Sequence, residues 1–299
     1  MPRQIPATRR QLTLLIAAVG IAVAVVVAAL LPVPYVILSP GPTLNTLGTQ
    51  SGKPLIVISG HRTYPTNGHL NLVTVSYQGG PSDGFNLFTA LQAWLSPHEA
   101  VVPESELFGT DQTQQQVTRQ DTQQMVGSQE QAQAAALCQL GIPYEVLDTV
   151  IQVEPGAPAA GVLKPGDVIT AVDGKKVTCR ADAGTLIRAR KPGAPVQLTV
   201  DRHGATHQFR MKTTDDKGNA VVGVGVNETY KFPFPVKINI GAIGGPSAGL
   251  MFALGIMDKL TPGGLTGGRF VAGTGEISAN GAVSPIGGIQ QKMAGARAA

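Results

Sequence analysis

Apolar and polar positions along the chain fall into blocks of different period, and the blocks predict the elements. Residues 12–31 are apolar or small and carry no charge, a run of about twenty that is long enough to cross a bilayer as one helix. The proline-rich stretch 32–42 reads as a stiff exit from it. Residues 69–77 alternate as a strand, with Leu70, Leu72 and Thr74 on one face and Val73 and Val75 on the other. Residues 85–95 predict a short helix. Residues 112–140 predict a long one that packs through Met125, Gln129, Ala132, Ala136 and 138–140, its remaining glutamines forming a solvated side.

Nearer the C-terminal end, Val236, Ile238 and Ile240 alternate with Lys237 and Asn239, the signature of a strand with one buried face. Residues 250–260 are apolar nearly all round apart from Asp258 and Lys259, which predicts a buried helix. A strand over 270–277, a tight turn at Asn280-Gly281 and a return strand over 283–286 follow. A last helix then places Ile289, Lys292, Met293 and Ala296 on one face.

The candidate chemistry lies between these blocks. Gly244, Gly245, Pro246, Ser247, Ala248 and Gly249 connect the strand to the buried helix. Pro246 suits the first helical position, because its missing N–H has no intrahelical partner there. Ser247 then falls in the first turn, where unpaired N–H groups and the positive dipole end stabilise a developing oxyanion. Its proton needs a base. Lys292 is the one charge on an apolar stripe, and burial lowers a lysine's pKa toward what a general base needs near neutrality. Thr274, at a strand end, is placed to orient the amine.

These residues resemble the proteolytic domain of the Lon family. Its Ser-Lys dyad sits in the pattern Gly-Pro-Ser-Ala-Gly, then Thr-Gly-Glu, Pro-Ile-Gly-Gly and a lysine on the following helix. The matches are Gly245, Pro246, Ser247, Ala248 and Gly249, then Thr274, Gly275 and Glu276, then Pro285 to Gly288, and Lys292. The resemblance implies a serine endopeptidase with Ser247 as nucleophile and Lys292 as base, supported by Thr274, Gly245, Pro246 and Ala248. Members with an attached ATPase usually carry an acidic residue two before the proline, where this chain has Gly244. No ATPase module accompanies the motifs.

Other readings of the same residues are weaker. A phosphate loop requires Lys and then Ser or Thr after its last glycine, and Leu250 and Met251 follow here. A serine in such a turn often caps a helix, and a lysine often snorkels to water. Four motifs in order favour catalysis over both. The histidines (His61, His69, His98, His203 and His207) lack metal spacing such as His-Glu-x-x-His, so neither a metal nor another cofactor is implied. A Gly-Asn-Ser-Gly-Gly signature ahead of residue 146, as an HtrA-type protease needs, is also lacking.

Residues 146–214 change character. Pro155-Gly156-Ala157-Pro158-Ala159-Ala160, Gly166-Asp167-Val168-Ile169 and Val172-Asp173-Gly174 resemble a PDZ domain of the bacterial protease-associated type, with 183–190 as groove helix and 196–200 and 206–211 as closing strands. Such a domain captures a peptide end on loop N–H groups and adds the peptide as a strand. Leu140-Gly141-Ile142 is the lone loop candidate, and Pro143 after it lacks a donor, so the loop stays unassigned.

Too few residues separate this domain from Ser247 to hold what Lon-type domains place before their serine. The missing elements are expected upstream, at 68–77 and 112–140, which makes the PDZ domain an insertion in a split proteolytic domain. A separate N-terminal domain is the alternative, and the split version expects 69–77 to share a sheet with 221–240. The family normally continues beyond the last helix, so the proteolytic domain is expected to be incomplete at its C-terminal end.

Length and composition permit two modest folded units: 299 residues, 43% hydrophobic. The net charge is +4 with basic residues scattered, which gives no nucleic-acid footprint. Arg3, Arg9 and Arg10 precede the apolar run and no charge follows until Lys53, which sets the N-terminus in the cytoplasm and the rest outside. A cleaved signal has an apolar core of about 7 to 15 residues, so an uncleaved anchor is favoured. Cys138 and Cys179 are then on the oxidising side, either paired or as two buried thiols.

The resulting expectation is an α+β chain: a tail over 1–11, a transmembrane helix over 12–33, the first part of a Lon-type domain over 45–141, a PDZ domain over 142–216 and the proteolytic core over 219–299. Its partners are protein or peptide substrates, the membrane and, as Lon-type domains commonly form rings, copies of itself. A catalytically idle PDZ adaptor at the outer membrane face is the competing class.

Overall fold

A computed structural model describes residues 7–81, 84–109 and 112–298. Arg3, read as part of the cytoplasmic tail, lies outside them. Helices run over Ala7–Leu30 (α1), Leu87–Trp94 (α2), Glu104–Leu107 (α3), Gln114–Leu140 (α4), Ala183–Arg188 (α5), Gly249–Leu260 (α6) and Ile289–Ala298 (α7). The chain is mixed α+β and divides into two units. One comprises Met1–Thr43, Val73–Gln123 and Gly287–Ala299, the other Leu44–Leu72 and Gln124–Ile286.

In the first unit α1 supplies a 22-residue segment, Arg9–Leu30, long and apolar enough to cross a membrane and with none of its length buried in the protein. It stops before the span 12–33 expected from hydropathy, because Pro32 cannot continue a helix and Pro32–Val33 instead forms a strand paired with Phe85–Asn86. The exit segment is not merely stiff. Tyr35–Pro40 is the central strand of a sheet, flanked antiparallel by Ala100–Pro103 and Val75–Gln78, with Val36 and Ile37 buried. Its prolines sit at strand ends, where a lost N–H costs least. α7 packs on this central strand. Val75 fills the space where a side chain on Gly288 would go.

The second unit holds two cores. One is built by Leu55, Ile56, Leu70 and Leu72, by Met125, Ala132, Ala136 and Leu137 of α4, by Phe234, Ile238 and Ile240, and by Met251, Phe252 and Ile256 of α6. Residues on both sides of the PDZ-like segment therefore share one interior. Two strand pairs bridge the same gap in sequence: Ile56–Ile58 lies antiparallel to Val236–Ile238, and His69–Leu72 lies parallel to Phe270–Gly273. The pairing expected of a split domain, 69–77 with 221–240, does not form among the described residues. The strand breaks after Leu72, and its partners are Phe270–Gly273 and Leu44–Asn45. The glutamines of α4 are not all solvated: Gln133 is buried and donates to the Phe234 carbonyl at 3.0 Å, and Gln131 accepts from the Ala279 N–H at 2.6 Å.

The other core contains Val150, Leu163, Ile169, Val172, Ile187, Leu198 and Val200. Its sheet has the order Ala205–Lys212, Pro195–Arg202, Val168–Val172, Glu145–Val153, Val224–Lys231, all antiparallel. Leu140-Gly141-Ile142 is a helix stop: Gly141 takes a positive φ of 69°, and the Ile142 and Gly141 N–H groups donate to the carbonyls of Leu137 and Cys138. Cys138, in the last turn of α4, is disulfide-bonded to Cys179. Within this domain Asp167 is 1% exposed and accepts two hydrogen bonds from the Arg202 guanidinium, at 2.6 and 2.8 Å, and a third from the Lys164 N–H. That arginine holds the Asp167 carboxyl below the usual carboxylate range. Asp167→Ala removes both hydrogen bonds to the part-exposed Arg202 guanidinium and leaves the Lys164 N–H without its acceptor, and is expected to destabilise the domain, read as a lower denaturant midpoint. The sign fixes the pH dependence. A depressed carboxyl pKa adds stability above the unfolded value, and acid removes it as pH falls through the folded one.

Candidate active site and peptide groove

The turn carrying Ser247 is built from three directions. Gly245 adopts a positive φ of 86°, which turns the chain out of the preceding segment. Pro246 follows, and its carbonyl accepts from Ser128 Oγ of α4 at 2.9 Å. The Ser247 carbonyl accepts from Thr274 Oγ1 at 2.9 Å and from the Gly275 N–H at 2.8 Å, and the Leu250 N–H donates back to the Gly275 carbonyl at 3.0 Å. Ala248 is buried. A side chain on Gly249 would meet Ser128 Oγ at 2.9 Å and Ile277 at 3.1 Å, so a glycine is needed where α6 starts. Ser247 itself is half-buried.

One detail differs from the sequence expectation. α6 begins at Gly249, so Ser247 lies in a turn two residues ahead of the helix, and Pro246 does not occupy its first position. The N–H groups of Met251 and Phe252 are spent on the Ala248 carbonyl. Thr274 Oγ1 also donates to the serine's own carbonyl.

Lys292 belongs to the first unit, on α7, and is 4% exposed. Burial pushes its pKa below the ordinary lysine value. The buried side of α7 is Gln291, Lys292 and Gly295, whereas Ile289 and Met293 are about half exposed. The apolar stripe predicted from spacing is thus rotated by roughly one residue, and Gly295 faces Pro40 and Gly41.

A cavity of about 640 Å³ in the second unit runs between α5 and the edge strand Val224–Lys231. Ile169, Ile187 and Val222 give it an apolar floor. The chain 220–223 enters that strand, with Gly223 at a φ of 73°, and the carbonyls of Val222 and Gly223 accept from the N–H groups of Ala159 and Glu154. Sequence reasoning missed this segment. It lies beyond the PDZ-like motifs and pairs back to Glu145–Val153, and a glycine at 223 before the alternating Val224 and Val226 was its available signal. Asp148, Glu154, Asp182, Asp215, Asp216 and Glu228 line the cavity against Arg188. Asp148 is 2% exposed. Its Oδ2 accepts from the Ala183 N–H at 2.7 Å, while its Oδ1 is buried without a hydrogen-bond partner. Desolvation raises its pKa to about 6.

Residues 138–213 match the PDZ domain family, and residues 227–299 match the Lon protease (S16) C-terminal proteolytic domain. The chain thus carries a PDZ domain followed by a Lon-type proteolytic domain, the latter containing Ser247, Thr274 and Lys292, and this supports a peptidase. It is similar to two proteins provisionally named zinc metalloproteases. The protein of Neisseria meningitidis serogroup A is 36% identical over 86 residues, 27% of this chain and 19% of the relative. That of Agrobacterium fabrum is 34% identical over 85 residues, 25% of this chain and 22% of the relative. The chain spans about a fifth of the length of these relatives. Among solved structures, the PDZ domain of an SdrC-like protein from Listeria monocytogenes is 30% identical, covering 26% of this chain and 85% of that one at a TM-score of 0.25.

Proposed function

We propose that this protein is a membrane-anchored serine endopeptidase, with Ser247 as nucleophile, Lys292 as general base and the PDZ groove gathering the peptide. The carrying observation is the Gly-Pro-Ser-Ala-Gly turn, clamped by Thr274 and Gly275, in a segment that matches a proteolytic family and also supplies a buried lysine. The neutral Lys292 amine takes the Ser247 proton as Oγ attacks the scissile carbonyl. The resulting ammonium returns it to the leaving amine, and water, activated by the same amine, hydrolyses the acyl-enzyme. Because the first helical N–H groups are committed elsewhere, the oxyanion donors belong to the turn at Ser247 and Ala248. The expected pairing of 69–77 with 221–240 is absent among the described residues, but Ile56–Ile58 pairs with Val236–Ile238 across the same gap and residues on both sides of 138–213 share one interior, which supports a PDZ domain inserted into the proteolytic domain. α1 anchors the chain with Arg9 and Arg10 on the cytoplasmic side. A metalloprotease reading is not adopted, because the chain has no His-Glu-x-x-His. A fluorophosphonate probe tests the assignment: labelling of the full chain should vanish in Ser247→Ala and in Lys292→Met. No labelling of the parent chain would favour the idle adaptor.

The groove's charge narrows the peptide. Six carboxylates face one arginine, a charge balance that favours a Lys or Arg side chain on the bound peptide. A lysine-bearing peptide is expected to bind about tenfold more tightly than its glutamate counterpart. Glu228 on the edge strand and Asp182 at the start of α5 both add to the raised Asp148 pKa. The preference should therefore weaken as pH falls through about 6, where Asp148 gains its proton. Fluorescence anisotropy with both peptides, on the parent and Asp148→Asn, checks this, and equal affinities would refute it.

A further inference from the structure

α2 presents an apolar stripe to the outside. Leu87, Phe88, Leu91, Trp94 and Leu95 are 42, 46, 46, 71 and 78% exposed, while Ala90 and Ala93 on the opposite side pack with Ile37 and Phe85 in a small core. Spacings of one, four, seven and eight positions from Leu87 put the five exposed residues on one face. The helix is fixed at its start, where the Asn86 side chain accepts from the Thr89 N–H and hydroxyl at 3.0 Å each. A helix with apolar residues on both faces normally has both faces covered.

The connectivity identifies what covers the outer one. α1 ends at Leu30, and Pro32 and Val33 pair directly with Asn86 and Phe85, the two residues before α2. Paired strands lie about 5 Å apart, so α2 starts within one strand spacing of the point where the membrane helix ends. α1 and α2 are also in contact. Tryptophan and other amphipathic rings favour the level of the lipid headgroups.

We propose that α2 is an interfacial helix, its Leu87–Phe88–Leu91–Trp94–Leu95 face immersed in the lipid surface beside the exit of α1. This rests on α1 being an anchor. With α1 it gives the first unit two attachments to the bilayer, one across it and one along it, and so limits its rotation about α1.

Trp94 is the single tryptophan of the chain, so its fluorescence reports this face alone. The full chain is reconstituted into phosphatidylcholine and phosphatidylglycerol vesicles, with ordinary or brominated acyl chains, and membrane retention is measured separately by alkaline carbonate extraction. The expected result is blue-shifted emission, loss of most of it in brominated vesicles and protection from aqueous iodide. Phe88→Ser with Leu91→Ser should return Trp94 to red-shifted, iodide-accessible emission while the chain stays membrane-bound. A retained chain whose Trp94 is quenched by iodide and not by brominated lipid overturns the placement of α2 and leaves the anchor intact. Trp94 shielded from both quenchers means that protein covers the face, and also overturns it. Release of the chain by carbonate overturns the anchor reading, and the placement of α2 falls with it.

Discussion

Ser247→Ala is expected to reduce peptide hydrolysis by at least about 10⁴-fold, with Lys292→Met equally severe and the double variant no worse, because nucleophile and base act as a unit. Lys292 separates this loss from a loss of folding. Its side chain is buried and its pKa lowered by desolvation. A lysine whose folded pKa lies below its unfolded one binds fewer protons when folded, so stability rises with pH between the two values and the charged form is a cost at neutrality. Lys292→Met should therefore hold or raise the denaturant midpoint while activity disappears. The parent's rate should climb with pH as the amine loses its proton, and level off before the ordinary lysine range is reached. A rate that tracked pH identically in a variant lacking the amine would remove Lys292 from the mechanism.

Breaking the Cys138–Cys179 bond carries the second large effect. It closes a loop of 41 positions between the last turn of α4 and the segment leading into α5. Opening such a loop releases denatured-state entropy equivalent to about 4 kcal/mol. The paired variant Cys138→Ser with Cys179→Ser is expected to melt about 10 °C lower than the parent, and the parent in reductant should match it. The bond forms and persists only where the surroundings are oxidising. Its presence fits the outer-side placement read from Arg9 and Arg10.

The turn at 245–249 was legible in sequence because it is written in consecutive residues, with Gly245 at a positive φ and Gly249 where a side chain would meet Ser128 and Ile277. The start of α6 was read at Pro246, three residues early, since the Ser247 carbonyl is taken by Thr274 and Gly275 from a distant part of the chain and not by a helical N–H. The face of α7 differs because Gln291 and Lys292 are buried while Ile289 and Met293 are exposed, a choice that apolar periodicity cannot register. The PDZ motifs marked their domain, but its groove is completed by Val224–Lys231, whose partner strand lies some eighty positions earlier. Gln131 and Gln133 look like solvent-facing residues in a polar run, and only Ala279 and Phe234 reveal what they hold.

The interior shared by Leu55, Ile56, Phe252 and Ile256 has a consequence for how the chain matures. Leu55 emerges long before Ile256, and at ribosomal speeds the delay is roughly ten seconds or more. The PDZ strands, by contrast, are nearly contiguous and can close among themselves first. Once closed, they hold the chain ends near 145 and 231 in adjacent register, which shortens the remaining search for the early hydrophobic strands. The PDZ domain would then serve assembly before it serves recognition, as a clasp that brings two late-meeting parts of this interior within reach of each other.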